Sequence, residues 1–188
     1  MTTLYDVPDR PATPEKPGKL RKIRVVGDPV LHERCREVTL FDAELATLVD
    51  DMFVSMAVAE GVGLAAPQVG VDLALFVYDC LDADRKRHTG HLVNPRITAT
   101  SGIQEGDEGC LSVPGPYQPL QRAFEVTVAG VDKTGEPIEV TGTGFFARCL
   151  LHETEHLSGT LYIDHLPRNR RRKALREMEP FEWNETGA

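Results

Sequence analysis

The 188-residue sequence predicts an α+β fold, with small antiparallel or mixed β-sheets packed around a central helix. One further helix is expected on the amino-terminal side and one at the carboxyl end. Three observations lead there. Apolar residues recur on one helical face between Leu45 and Met56. Strand-length apolar runs fill the middle of the chain. A second helical stretch follows the last of those runs, so regular βαβ alternation is absent. A content of 41% hydrophobic and 27% charged residues is ordinary for a globular protein, and the length suits one central domain with terminal extensions.

Taken in order, residues 1–20 carry Pro8, Pro11, Pro14 and Pro17 with little to bury, and are expected to form a disordered, extended leader. Packing is expected to begin near Ile23, before the turn at Gly27-Asp28-Pro29. Leu45, Leu48, Val49, Met52, Phe53 and Met56 mark the buried face of the first helix, with Asp42 as its cap and Glu60-Gly61 as its stop. The glycine-rich stretch GVGLAAPQVG (61–70) precedes a strand at 72–79. It lacks the GxGxxG spacing of a phosphate-binding loop. Short strands are expected at 91–94 and 96–100, separated by Pro95, and a hairpin at 123–131 and 137–142 around Asp132-Lys133-Thr134-Gly135. A helix over about 144–157 and a short basic helix over 167–178 complete the chain, so the central domain spans 21–166 and a basic helix with a tail spans 167–188.

Bulk properties exclude several classes. A net charge of −8 argues against a general nucleic-acid binder, DNA in particular, because counterion release needs an excess of cations. No apolar run approaches the roughly 20 residues of a membrane span. The first twenty residues lack the apolar stretch of a secretory signal, and Asp6, Asp9 and Glu15 suit a transit peptide poorly. A cytoplasmic location is expected. In that compartment Cys35, Cys80, Cys110 and Cys149, which form no CxxC pair, are expected to be free thiols or metal ligands.

The strongest local signal is His152-Glu153-Thr154-Glu155-His156, an HExxH motif inside a predicted helix. Spacing of four puts both imidazoles on one face, about 6 Å apart along the axis. Both can then reach one ion from the same side, and Glu153 can reach a water on it as general base. Catalytic sites of this kind have a third protein ligand. The position at which a metzincin would supply it is Tyr162, a thermolysin-like endopeptidase would use Glu177, and Cys149 lies about 10 Å along the helix from His156. Cys110, flanked by Gly109, is the remaining candidate, since a thiolate is a strong ligand for iron or zinc.

GVGLAAPQ (61–68), EGCLS (108–112) and HETEH (152–156) occur in the order of the motifs GxGxAAxQ, EGCLS and HExDH, and together they resemble the peptide deformylases. RVVGDPVLH (24–32) resembles that family's amino-terminal stretch, so the likeness covers roughly residues 22–165. The resemblance implies a hydrolase that removes the formyl group from the amino-terminal formylmethionine of newly made proteins. It assigns Cys110, His152 and His156 to the ion, usually Fe(II), with Zn(II), Ni(II) or Co(II) as alternatives, and Glu153 as acid and base for a metal-activated water. By the same token the Gln68 amide and the Leu111 backbone N–H stabilise the oxyanion. Val62, Phe145, Arg148 and Cys149, with the His152 ring, line the methionine pocket, while Gly61, Gly63 and Gly109 leave a bare edge for an extended peptide.

Two residues depart from expectation. Glu155 stands where the family usually has Asp, one methylene longer with its charge kept. Arg148 is unusual in an apolar pocket, and its stem is expected to line the wall while its guanidinium reaches water. Arg168, Arg170, Arg171, Arg172, Lys173 and Arg176 form either a solvated helix face or a docking surface for ribosomal RNA. A zinc endopeptidase using Glu177, and a catalytically silent paralogue that binds nascent chains, are the rival readings.

Overall fold

Asp42 caps the first helix as its position predicts, its carboxylate accepting from the backbone N–H groups of Glu44 and Leu45, both at 3.0 Å. That helix, α1 (Ala43–Val58), buries Leu45, Leu48, Val49, Met52, Phe53 and Met56. The computed structural model describes residues 18–178. The rest of the expected leader, residues 1–17, and of the tail, 179–188, lie outside the described residues. The chain docks earlier than Ile23: Lys19 N–H and Arg21 Nε both donate to the buried Asp51 carboxylate of α1, at 2.6 and 2.9 Å.

The strands are β1 (Gly63–Ala65), β2 (Leu75–Leu81), β3 (Arg87–Ser101), β4 (Gln104–Cys110), β5 (Val113–Arg122), β6 (Glu125–Val131) and β7 (Pro137–Thr143). They are followed by α2 (Gly144–His156), a 3₁₀ turn at Tyr162–His165 and α3 (Arg168–Arg176). Five strands form an antiparallel sheet in the order β1-β2-β3-β6-β7, and β4 and β5 pair separately. Leu75 and Val77 of β2 join the core beneath α1, whereas Phe76, Tyr78 and Cys80 join the core beneath α2. The helices therefore cover opposite faces of the sheet, which explains why β2 reads as a continuous apolar run rather than an alternating one. A third small core of Val113, Leu161, Tyr162, Ile163, Leu166 and Ala174 seats α3. The fold is α+β around a central helix, and among the described residues no helix is long and apolar enough to cross a membrane.

Two expectations about strands need correcting. Pro95 does not separate two strands; β3 runs through it. The disturbance survives as a register shift against β6 between Val93 and Arg96, with Asn94 at φ 50°. A bulge leaves the missing proline N–H without a ladder partner to lose. The β4–β5 hairpin, in register from Gln104 opposite Arg122 to Cys110 opposite Val113, was not expected. Its sequence is polar and rich in glycine and proline, so it carries no period-2 apolar signal.

Candidate metal centre

Helix α2 starts at Gly144, which follows the sheet edge strand β7 at φ 56°, and carries His152 and His156 one turn apart on its inner face. Their Nε2 atoms lie 3.2 Å from each other, and Cys110 Sγ, at the end of β4, lies 3.3 Å from His156 Nε2. Cys110, His152 and His156 are the one group of three metal-donor side chains among the described residues. Two imidazole nitrogens at about 2.0–2.1 Å and a thiolate at about 2.3 Å around one tetrahedral ion would be separated by about 3.3–3.6 Å. The three atoms thus fit a single thiophilic ion. The candidates Glu177 and Cys149, and Tyr162 at the position where a metzincin would have His, are placed elsewhere. Tyr162 donates its hydroxyl to Pro116 O at 2.8 Å, Glu177 pairs with Lys173, and Cys149 Sγ lies 3.6 Å from Val62 O.

Glu108, one turn of strand before Cys110 on the same face, organises this centre although sequence reasoning passed over it. Its Oε1 accepts from His152 Nδ1 at 2.8 Å and Arg122 Nη2 at 2.6 Å. Its Oε2 accepts from Arg122 Nε at 3.0 Å and Arg148 Nη1 at 2.9 Å. Burial opposes its ionisation, but the His152 and Arg122 contacts overcome that and hold the carboxyl well below the usual range. An ionised Glu108 only accepts, so His152 carries its proton on Nδ1 and turns the Nε2 lone pair toward His156 Nε2. Arg122 also forks onto Glu155 at 2.6 and 2.9 Å, and Glu155 reaches His165 Nε2 at 3.0 Å. Glu155 thus contacts both Arg122 and His165.

Arg148 corrects an expectation. Its side chain is only 4% exposed, and the guanidinium turns inward to Glu108 and Leu120 O instead of reaching water. The buried carboxylate needs a second cation more than the arginine needs solvent, because an uncompensated charge at this depth costs several kcal/mol.

The catalytic candidate Glu153 is 4% exposed, and its Oε2 has no hydrogen-bond partner. Burial, reinforced by Glu108 and opposed by His152, pushes its pKa up to about 7. The glycines of the first motif make room for this centre. A Cβ on Gly63 would collide with the Glu153 carboxylate, and one on Gly61 would sit 2.6 Å from Leu111 Cδ1. Strand β1 is also an edge strand of the sheet. Gln68 is buried; its Oε1 accepts from Ala65 N–H at 2.8 Å, and its Nε2 donates to Ser112 Oγ at 3.2 Å while lying 3.5 Å from Cys110 Sγ.

A cleft of about 530 Å³ opens over these groups. Val62, Gly63, Gly109, Phe145, Arg148 and Cys149 all line it, together with Gln68, Leu111, Glu153 and two of the three ion-directed side chains, Cys110 and His152. His156 is buried behind them at 1% exposure.

Comparison with known proteins identifies the family. The family model described as polypeptide deformylase matches residues 20–172. Peptide deformylase 1 of Streptomyces avermitilis is 52% identical over 177 residues, covering 92% of this chain and 82% of that protein. Peptide deformylase 2 of Streptomyces coelicolor is 51% identical over 168 residues, covering 89% of this chain and 94% of its own. Among solved structures, a peptide deformylase from Legionella pneumophila superimposes with a TM-score of 0.79 at 45% identity, over 84% of this chain and 92% of that one. One from Ehrlichia chaffeensis in complex with actinonin gives a TM-score of 0.79 at 33% identity, over 84% and 95%. Sequence, fold and cleft converge on one conclusion: the chain belongs to the polypeptide deformylase family and is an enzyme, a peptide deformylase.

Proposed function

We propose that the enzyme removes the formyl group from the amino-terminal formylmethionine of newly synthesised proteins, with Glu153 moving the proton. The observation that carries this reading is Glu153 itself: a buried carboxyl with an unpartnered oxygen beside a convergent Cys–His–His group, at the wall of a peptide-sized cleft. Cys110, His152 and His156 would hold a divalent ion, Fe(II) foremost, with Zn(II), Ni(II) or Co(II) suited to the same thiolate and imidazole donors. Such an ion lowers the pKa of a water toward about 7 and polarises a carbonyl oxygen.

The protein's own groups do the rest. Glu153 takes a proton from the attacking water and returns it to the leaving amine; its burial and its unpartnered Oε2 leave it free to carry that proton. Gln68, fixed through its oxygen by Ala65 N–H, turns its amide nitrogen to the Cys110 side of the cleft, where it stabilises the oxyanion with the Leu111 N–H. An extended peptide pairs along the edge strand at Gly63 and passes Gly109. Its methionine side chain enters among Val62, Phe145, Cys149, the His152 ring and the Arg148 stem. Arg148 belongs to this wall as a neutralised pair with Glu108, so the pocket presents no net charge from these two groups.

The test is deformylation of a short formyl-Met peptide by protein purified without oxygen and supplied with Fe(II), because both that ion and the Cys110 thiolate oxidise. Formate release establishes the reaction. An ion-loaded protein that releases none would favour a silent paralogue or another acyl substrate.

Newly made chains place the enzyme in the cytoplasm at the ribosome, and α3 supplies a contact. Its six cations are all exposed, although Arg171 pairs with Asp164 and Lys173 with Glu177. We expect ribosome binding to fall steeply between about 50 and 200 mM salt and to disappear when residues 167–188 are removed. Undiminished binding by the truncated protein would remove α3 from the reading.

A further inference from the structure

Strand β5 leaves its partner over part of its length. Cys110 pairs with Val113 and Glu108 with Gln118, so the single residue Gly109 of β4 faces four of β5, Pro114 to Tyr117. Two of those four are prolines without an N–H to offer a ladder, and Gly115 adopts φ 102°. The four residues make a lip, and all of them line the cleft. Tyr117, 54% exposed, lays its ring against Gly109, where a Cβ would collide with it.

The lip is tied from below. Tyr162, 1% exposed at the start of the 3₁₀ turn after α2, donates its hydroxyl to Pro116 O at 2.8 Å. The same ring lies beside His152, with centroids 6.2 Å apart and planes 28° from parallel. It also belongs to the small core with Val113 and Ala174 that seats α3. One rigid aromatic residue therefore spans the distance between the His152 imidazole and the mid-point of the lip.

We propose that Tyr162 is a positioning residue for peptide recognition. Its hydroxyl sets the height of the Pro114–Tyr117 lip over the cleft, so that substrate residues beyond the methionine bind against a fixed wall. Tyr162 does not touch the substrate, and acts through Pro116. The inference rests on the deformylase reading and adds a dependence on peptide length that the reading alone does not contain.

The experiment compares formyl-Met amide with a formylated tetrapeptide on the ion-loaded enzyme. Tyr162→Phe keeps the ring beside His152 and deletes the tie. It should raise KM for the tetrapeptide about three- to ten-fold, the range for one net hydrogen bond, and leave kcat, ion content and KM for the short substrate unchanged. Tyr162→Leu, which also lacks the hydroxyl that reaches Pro116 O, should show the same length-dependent penalty, which keeps the question answerable if Tyr162→Phe does not fold. Equal changes in KM for both substrates, or none for either, in a folded variant would overturn the proposal. A wild type that fails on both substrates would instead bring down the deformylase reading.

Discussion

Glu153→Gln should lower kcat by about 10²–10⁴ while the ion content stays that of the wild type. Glutamine has nearly the same shape, and it fits the space that the absent Cβ of Gly63 leaves open. It cannot take up a proton from water and hand it to an amine, so the loss falls on the chemical step. Ion retention is expected because Glu153 is not in the convergent donor group. KM should move little, since no peptide contact is assigned to this carboxyl. The check is steady-state kinetics on a formyl-Met peptide alongside metal analysis of the same preparation. Loss of the ion would make Glu153 a ligand and would reverse its role. Activity within a few-fold of the wild type would mean another group moves the proton.

Arg122→Met should cost about 3–5 kcal/mol of folding stability, the range for removing one partner of a buried charge pair. Arg122 is 8% exposed and is the common partner of Glu108 and Glu155, donating twice to each. Without it Glu108, 3% exposed, keeps Arg148 and the His152 Nδ1 contact against its charge. The second effect is on the ion, because Glu108 orients His152. Losses of that kind weaken metal affinity about 10–100-fold. Arg122→Lys, which keeps the charge but loses the fork, should fall between the two. Urea midpoints and chelator competition with Zn(II) measure the two effects separately. A Met variant as stable as the wild type would mean that the two carboxylates are satisfied without the arginine.

Where the sequence was readable, a local rule and the tertiary structure agreed. Asp42 caps α1, the apolar stripe from Leu45 to Met56 is the buried one, and His152 and His156 share a face because helical geometry leaves no choice. Where it was not, the buried surface was charged. The β4–β5 hairpin hides from pattern reading because Glu108 and Arg122 occupy inward positions at which an ordinary strand would show Val or Ile. Arg148 misled for the same reason: its partner is a carboxylate 40 positions away in sequence, invisible to any local window. Residue spacing leaves Cys110, Cys149 and Glu177 as candidates for the third ligand, with Tyr162 breaking the metzincin pattern, and only the motif combination favours Cys110. The approach of β4 to α2 brings that thiol to His156 and places the others elsewhere. Glu108 was available as the first residue of EGCLS, but one carboxylate in a polar stretch carries no period to notice.

The donor set also has a topological consequence. Cys110 and His156 are 46 positions apart and belong to different elements, so an ion held by both closes a long loop as a cross-link would. Binding to the native state alone would add at most about 2.7 kcal/mol when free ion exceeds its dissociation constant a hundred-fold, less whatever the unfolded cysteines and histidines bind. Were Cys110, His152 and His156 to hold such an ion, ion supply and fold would share one equilibrium, and a shortage of metal would lower the folded fraction as well as the rate.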